Sequence, residues 1–150
     1  MGVVGLAMNK KDPSSVRGTK FPEDVQISTG LEMQKKGVKS DKCYCIRTEI
    51  LRQFPIPEHR DTKCVPESAM WAKLDKYYLT VFVNEPFSVM TEVNENSFSG
   101  NLSKKTKSNA MTSYYGAKYS LMYKWKYMSL VDLCKTIVRM FYNRMIAFFR

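Results

Sequence analysis

Hydrophobic and polar residues alternate in short blocks over the first hundred residues. Residues 3–8 are an apolar run that begins with β-branched side chains, and they predict a buried strand. Residues 43–46 are also strand-like, and residues 78–83 and 86–93 predict two more strands. Short helical patterns separate these strands, so the first part of the chain is predicted to form a mixed α/β core.

The strand at residues 3–8 is expected to lie at an edge of the sheet, because no earlier strand is available to pair with it. An exposed edge presents unpaired backbone groups that most folds avoid. The position of this strand therefore predicts that sequence upstream of it is missing.

Three short helices are predicted between the strands. Thr29 and Thr48 each stand at the start of a helical pattern, residues 29–36 and 48–54, where threonine acts as an N-cap. Pro55 ends the second pattern, since proline disfavours helical geometry in the residue before it. Pro66 is well placed to begin a third helix over residues 67–77.

The last fifty residues have a different pattern. Residues 110–127 carry aromatic and apolar side chains at helical spacing. Apolar residues then recur every three or four positions, which predicts a long amphipathic helix. They are Leu130, Cys134, Ile137, Phe141, Met145 and Phe148. Lys135, Arg139 and Arg144 lie off this stripe and give the helix a basic flank.

Charge separates the two parts further. Of the formal net charge of +10, residues 101–150 carry +9, with ten Lys and Arg against the single acidic residue Asp132. Such segregation predicts a polyanion or an anionic membrane surface as a partner, with a solvated basic face as the alternative.

Residues 123–127 mix tyrosine, tryptophan and lysine, which suits a membrane interface. The apolar stripe can instead pack on the domain itself or on another chain. This composition also suits single-stranded nucleic acid, but no binding fold accompanies it, so no nucleic-acid partner is predicted.

Cysteine and histidine offer little metal chemistry. The four cysteines form no Cys-x-x-Cys pair, and the single histidine, His59, is predicted to be a solvated loop residue, so a structural zinc site is not expected. Free thiols and the lack of a secretory signal favour a cytoplasmic location. No run of eighteen apolar residues predicts a transmembrane helix.

Glu67 opens the third predicted helix, and a tryptophan follows four positions later in CVPESAMWAKL. This stretch resembles the acidic motif of family 2 glycosyltransferases of the GT-A fold, in the subgroup that reads VPE-x-x-x-W. The resemblance implies that Glu67 is the general base that deprotonates an acceptor hydroxyl, a role for which a carboxylate is suited. At a helix N-terminus its ionised form is favoured. The alternative is an ordinary acid in the first turn of a helix.

A second motif, VKSDKCYCIRTEIL, is similar to the subgroup's Gly-Asp-Lys, strand, Arg-Thr and helix, with Ser40 in place of the glycine. The resemblance implies that Asp41 accepts hydrogen bonds from sugar hydroxyls and that Lys42 faces a phosphate. A surface ion pair is the alternative. Lys63 and Trp71 also match the subgroup and are implied to help shape the pocket for donor sugar and acceptor.

The resemblance implies an α/β fold, the C-terminal part of a GT-A mixed sheet in residues 1–96, followed by a basic helical extension in residues 97–150. Such an enzyme transfers a sugar from a nucleotide-sugar donor to a glycan or lipid-linked acceptor, with inversion, in cell-surface polysaccharide synthesis at the inner face of the membrane. The complete enzyme is expected to use Mg²⁺ or Mn²⁺ on an Asp-x-Asp pair. This chain has no Asp-x-Asp and is expected to lack the N-terminal half that binds the nucleotide, so on its own it is expected to bind no metal and to be inactive. The alternative is a non-catalytic remnant that binds a membrane or a partner through its basic helices.

Overall fold

The computed structural model describes residues 1–12, 14–39, 41–62, 64–90 and 107–149. These residues divide into two compact units. The first unit holds the described residues of Met1–Phe54 and Tyr77–Glu92, and the second holds those of Pro55–Lys76 and Val93–Arg150. The first unit contains a sheet and two short helices, and the second is helical, so the predicted mixed α/β class is confirmed. The boundary predicted at residues 96 and 97 lies outside the described residues.

The sheet of the first unit has four strands, β1 (Gly2–Asn9), β2 (Val25–Ser28), β3 (Lys42–Ile46) and β4 (Thr80–Met90), in the order β2-β4-β1-β3. β1 runs parallel to β4 and antiparallel to β3, while β2 runs antiparallel to β4. β1 is therefore an interior strand. The predicted edge position is wrong, because both partners of β1 come from later in the chain.

β4 is one strand of eleven residues where the sequence predicts two. Val4 pairs with Phe82 and Leu6 with Pro86, so four residues of β4 are matched by two of β1. Such an irregularity leaves backbone groups out of the ladder, and it is where a strand tolerates a proline that has no N–H to donate. The break expected before Pro86 is thus a bulge within a continuous strand.

The main buried cluster of the first unit lies on one face of the sheet. Val4, Leu6 and Met8 alternate along β1 and pack in one buried cluster with Phe21, Met33 and Phe82. Met33 comes from helix α1 (Gly30–Lys35), which covers this face. Thr29 caps α1 as predicted: its hydroxyl accepts from the Glu32 N–H, and the Glu32 carboxylate accepts from the Thr29 N–H.

Helix α2 (Thr48–Gln53) begins as predicted, but Arg47 occupies its N-cap position and makes no side-chain cap. The predicted cap at Thr48 is wrong by one residue, since Thr48 is already part of the helix. Helix α3 (Ser68–Leu74) is shorter than the predicted span of 67–77.

The second unit is built around helix α4 (Lys107–Lys124), which packs against both α3 and the long helix α5 (Leu130–Phe149). A 3₁₀ turn (Trp125–Tyr127) connects α4 to α5. The amphipathic helix predicted near the C-terminus is therefore confirmed. Among the described residues, no helix combines the length and the apolar content needed to cross a bilayer.

Candidate functional site

The predicted site residues are distributed over both units. Asp41 and Lys42 belong to the first unit, at the start of β3, and Glu67 and Trp71 belong to the second, on α3. Lys63 lies outside the described residues.

Glu67 occupies the N-cap position of α3 with helical backbone angles, φ −54° and ψ −27°. Glu67 therefore lies one residue before the helix, whereas the sequence predicts it within the first helical turn. Its exposed side chain makes no capping hydrogen bond. The Trp71 N–H donates to the Glu67 carbonyl at 3.1 Å, so the two residues lie one helical turn apart. Trp71 is half-buried. The arrangement places an exposed carboxylate one helical turn before a half-buried tryptophan.

The segment before Glu67 is held against α4. Val65 is buried in a cluster with Ala69 of α3 and Tyr119 of α4. A Cβ atom on Gly116 would lie 3.1 Å from Cγ of Pro66, so glycine at this point of α4 permits a close approach of the proline ring. Burial of Val65 and contact of Pro66 leave the next side chain, Glu67, directed to solvent.

His59 also attaches the loop before Glu67 to α4. Its Nε2 lies 2.9 Å from the Tyr119 hydroxyl, and its ring stacks on Tyr115 with centroids 3.7 Å apart and planes within 3°. His59 is half-buried. The predicted solvated position is therefore wrong, because the aromatic side chains of α4 offer the imidazole both a stacking face and a hydrogen bond.

Three tyrosines of α4, Tyr115, Tyr119 and Tyr123, form a ladder at four-residue spacing with ring centroids 6.5 and 6.1 Å apart. Lys76 Nζ lies 5.0 Å from the Tyr123 ring centroid, a cation–π contact. Burial raises the pKa of Tyr115 and of Tyr119, and a hydrogen bond from the Tyr115 hydroxyl to Asp61, 3.3 Å long, adds to the effect on Tyr115. The Tyr-x₃-Tyr-x₃-Tyr spacing is the sequence signal that points to this ladder.

Thr62 makes a third attachment between the loop and α4. Its hydroxyl lies 2.6 Å from that of Thr112 and donates to the Cys64 carbonyl at 2.9 Å. His59, Asp61 and Thr62 thus each bond to a different side chain of α4. These polar contacts fix the loop that ends at Glu67.

In the first unit, Lys42 lines a cleft of about 290 Å³. Its Nζ donates to the Lys39 carbonyl at 3.1 Å and lies 5.6 Å from the Phe21 ring centroid. Burial lowers the pKa of Lys42, and the nearby charge of Asp41 opposes this effect. Among the described residues, the cleft lining includes Lys39 and Lys42 and no carboxylate. A partly desolvated ammonium group in such a cleft suits an anionic ligand.

Asp41 makes an ion pair with Arg17, whose Nε lies 2.9 Å from Oδ2 of Asp41. The alternative predicted for this aspartate, a surface ion pair, is therefore present. Its partner, Arg17, lies outside the motif and could not be identified from it. Ser40, the residue that departs from the subgroup pattern, lies outside the described residues.

The described residues do not fit the divalent metal that the resemblance implies. Within residues 1–90 and 107–149, apart from the undescribed positions 13, 40 and 63, no group of three His, Cys, Asp or Glu side chains can hold a metal ion. Cys43, Cys45, Cys64 and Cys134 are free thiols. No reaction step is therefore assigned to a metal bound by these residues.

Comparison with known proteins gives no match to a family model, to a curated protein or to a solved structure. Function is therefore inferred from the side chains, their geometry and the resemblance of the motifs.

Proposed function

We propose that the chain forms the acceptor side of a family 2 glycosyltransferase of the GT-A fold, with Glu67 as the general base. The observation that carries the proposal is the exposed Glu67 carboxylate at the start of α3, with Trp71 one turn further on. The Glu67 side chain is exposed and makes no capping hydrogen bond at the start of α3, which suits a group that accepts a proton from a substrate. The substrates are a nucleotide-sugar donor and a glycan or lipid-linked acceptor of cell-surface polysaccharide synthesis.

The proposed reaction is a displacement at the anomeric carbon of the donor sugar. The acceptor hydroxyl oxygen forms a bond to that carbon as the bond to the nucleoside diphosphate breaks, and the proton of the hydroxyl passes to the Glu67 carboxylate. A carboxylate within hydrogen-bond reach of the hydroxyl is suited to this transfer. Direct attack by the acceptor inverts the configuration of the anomeric carbon.

Trp71 is proposed to hold the acceptor. Its half-buried indole lies one helical turn from Glu67, and an aromatic face can cover the apolar face of a sugar ring while a polar neighbour bonds its hydroxyl groups. The hydrogen bonds of His59 and Thr62 to α4 keep the supporting loop in place. The roles of Trp71 and Glu67 are therefore positioning and proton transfer, respectively.

Lys42 is proposed to bind a phosphate of the donor. Its ammonium group is half-buried in a cleft lined by a second lysine, and loss of water strengthens its attraction for an anion. Asp41 is proposed to accept a hydrogen bond from a sugar hydroxyl while Arg17 holds its other side. Lys63 keeps the pocket role implied by the resemblance.

Binding of the two ligand classes tests the proposal in the chain itself. In ¹H–¹⁵N NMR spectra, a nucleoside diphosphate is expected to shift amide signals around Lys42, and an oligosaccharide is expected to shift the indole N–H signal of Trp71. Lys42→Gln should abolish the first response, while Lys35→Gln, which removes an equal charge at the end of α1, should not. Trp71→Ala should abolish the second, while Trp125→Ala should leave the glycan response intact. Equal losses in the control variants, or a glycan that shifts no signal of α3, would contradict the proposal.

A further inference from the structure

Helix α5 presents a broad apolar face to solvent. Six large side chains on this face are between 58% and 80% exposed. They include Leu130, Val138, Phe141, Met145, Phe148 and Phe149. We call this surface the α5 outer face. A contiguous apolar surface of this kind marks an interaction site more often than a solvated surface.

The opposite side of α5 is already occupied. Ala147 is buried against Ala110 and Met111 of α4, and Ile146 packs on the same cluster. The sequence left open whether the apolar stripe packs on the chain itself. The structure shows that α5 contacts α4 through a different set of side chains, which leaves Phe141, Met145 and Phe148 exposed.

Basic side chains lie along both edges of the α5 outer face. Lys135 and Arg139 are exposed along one edge, at helical positions next to the apolar residues. Arg144 lies along the other edge, where its guanidinium group is 5.7 Å from the ring centroid of Tyr114 on α4. Asp132 is the only acidic residue in the sequence from 107 to 149. The surface therefore combines apolar area with positive charge.

We infer that the α5 outer face docks onto an anionic lipid membrane. A helix of twenty residues is about 30 Å long, and it can lie in the plane of the interface with its apolar face among the upper acyl chains. Lys135 and Arg139 then extend their charged groups to the lipid phosphates, while Arg144, whose guanidinium group packs on Tyr114 and lies 3.8 Å from the Met111 sulfur, adds positive charge at the other edge. Trp125 and Tyr127, both exposed just before α5, are aromatic residues of the kind that lie at headgroup level.

The charge and the side chains of the α5 outer face favour an anionic membrane over a second copy of the chain or single-stranded nucleic acid. A second copy of the chain on the same face would bring the Lys135 and Arg139 edges of two molecules near one another, which is unfavourable without counter-charges. Single-stranded nucleic acid binds by stacking its bases on exposed rings, whereas three of the six side chains named for the α5 outer face, Leu130, Val138 and Met145, offer no ring for stacking. An anionic bilayer offers both an apolar layer and negative charge.

Co-sedimentation of the whole chain with vesicles tests the inference. Binding is expected to vesicles that contain phosphatidylserine, and to be weaker to phosphatidylcholine alone or at high salt. Phe141→Ser with Phe148→Ser is expected to lower the partition coefficient by more than about tenfold, because two exposed rings no longer enter the bilayer. Lys135→Gln with Arg139→Gln is expected to lower it by about twenty-fivefold, since each near-surface cation contributes about fivefold.

Each pair has a matched control outside α5. Ile27→Ser with Leu79→Ser removes two similarly exposed apolar side chains, and Lys10→Gln with Lys20→Gln removes two exposed positive charges. Both controls are expected to bind as the unaltered chain does. Circular dichroism confirms that the variants remain folded, as is expected for substitutions at exposed positions.

Three results would overturn the inference. One is binding that does not depend on phosphatidylserine or on salt, and another is an equal loss in the control pairs. The third is a chain that ignores vesicles but self-associates in sedimentation velocity, with Phe141→Ser and Phe148→Ser abolishing the association. That outcome would assign the α5 outer face to a second copy of the chain.

Discussion

The imidazole of His59 bonds to the hydroxyl of Tyr119 across sixty residues of sequence, with 2.9 Å between Nε2 and the oxygen. The same ring stacks on Tyr115 at 3.7 Å. Together these contacts join the loop before Glu67 to the middle of α4. The position of the proposed base thus depends on a histidine in the loop that precedes it.

Replacement of His59 by alanine is expected to lower the free energy of unfolding by about 1–2 kcal/mol, because a hydrogen bond and a ring contact are both lost. Tyr119→Phe removes the hydrogen bond alone and should cost about 1 kcal/mol. Urea unfolding followed by tryptophan fluorescence measures this effect, since Trp71 and Trp125 both lie in the second unit. Arg60→Ala, at an exposed neighbouring position, is the control. A His59→Ala variant as stable as the control would contradict the attachment.

Glu32 makes the stability of the first unit dependent on pH. Hydrogen bonds from the Ser28 hydroxyl, at 2.6 Å, and from the Thr29 N–H lower the pKa of Glu32 below its ordinary value of 4.5. Because the folded state binds its proton less readily, the stabilisation is fully present above pH 4.5 and is lost as the pH falls through the folded-state pKa.

The difference in unfolding free energy between the unaltered chain and Glu32→Gln should therefore be constant above that pH and shrink below it. Ser28→Ala, which removes the strongest of these bonds, should reproduce most of the effect. Unfolding followed by far-ultraviolet circular dichroism at a series of pH values measures it. A difference that grows on acidification would contradict the assignment.

Lys42 is expected to titrate below the ordinary lysine value of 10.5, because burial disfavours its charged form. Asp41→Asn should lower this pKa further, since the carboxylate charge opposes the effect of burial. A nucleoside diphosphate bound at the ammonium group should raise it again. NMR titration of the Lys42 side-chain signals measures all three values. A pKa that does not respond to the diphosphate would contradict phosphate binding in the cleft.

Local features of this fold could be predicted from the sequence. The Thr29 cap can be predicted from Glu32 three residues later, and α5 can be predicted from the spacing of its own apolar residues. Such features depend on neighbours within one or two turns. Thr48 shows the limit, because the choice of the first helical residue depends on backbone geometry that residue type alone does not determine.

Features that depend on distant partners could not be predicted. β1 is interior because β4 pairs with it some eighty residues later, and no local pattern reveals that pairing. His59 is half-buried because α4, sixty residues on, supplies Tyr115 and Tyr119. Likewise, Arg17 is the partner of Asp41 only because the fold brings the two residues together.

The most direct test of the proposed role of Glu67 is the rate of sugar transfer, measured on the protein as its source cell produces it. The substitution is made in the gene. Glu67→Gln keeps the size of the side chain and removes its ability to accept a proton, so turnover should fall by about a hundredfold or more while glycan binding persists. Glu58→Gln, an exposed acid in the same loop, should transfer sugar at the unaltered rate. Unchanged turnover in a folded Glu67→Gln protein would contradict the account.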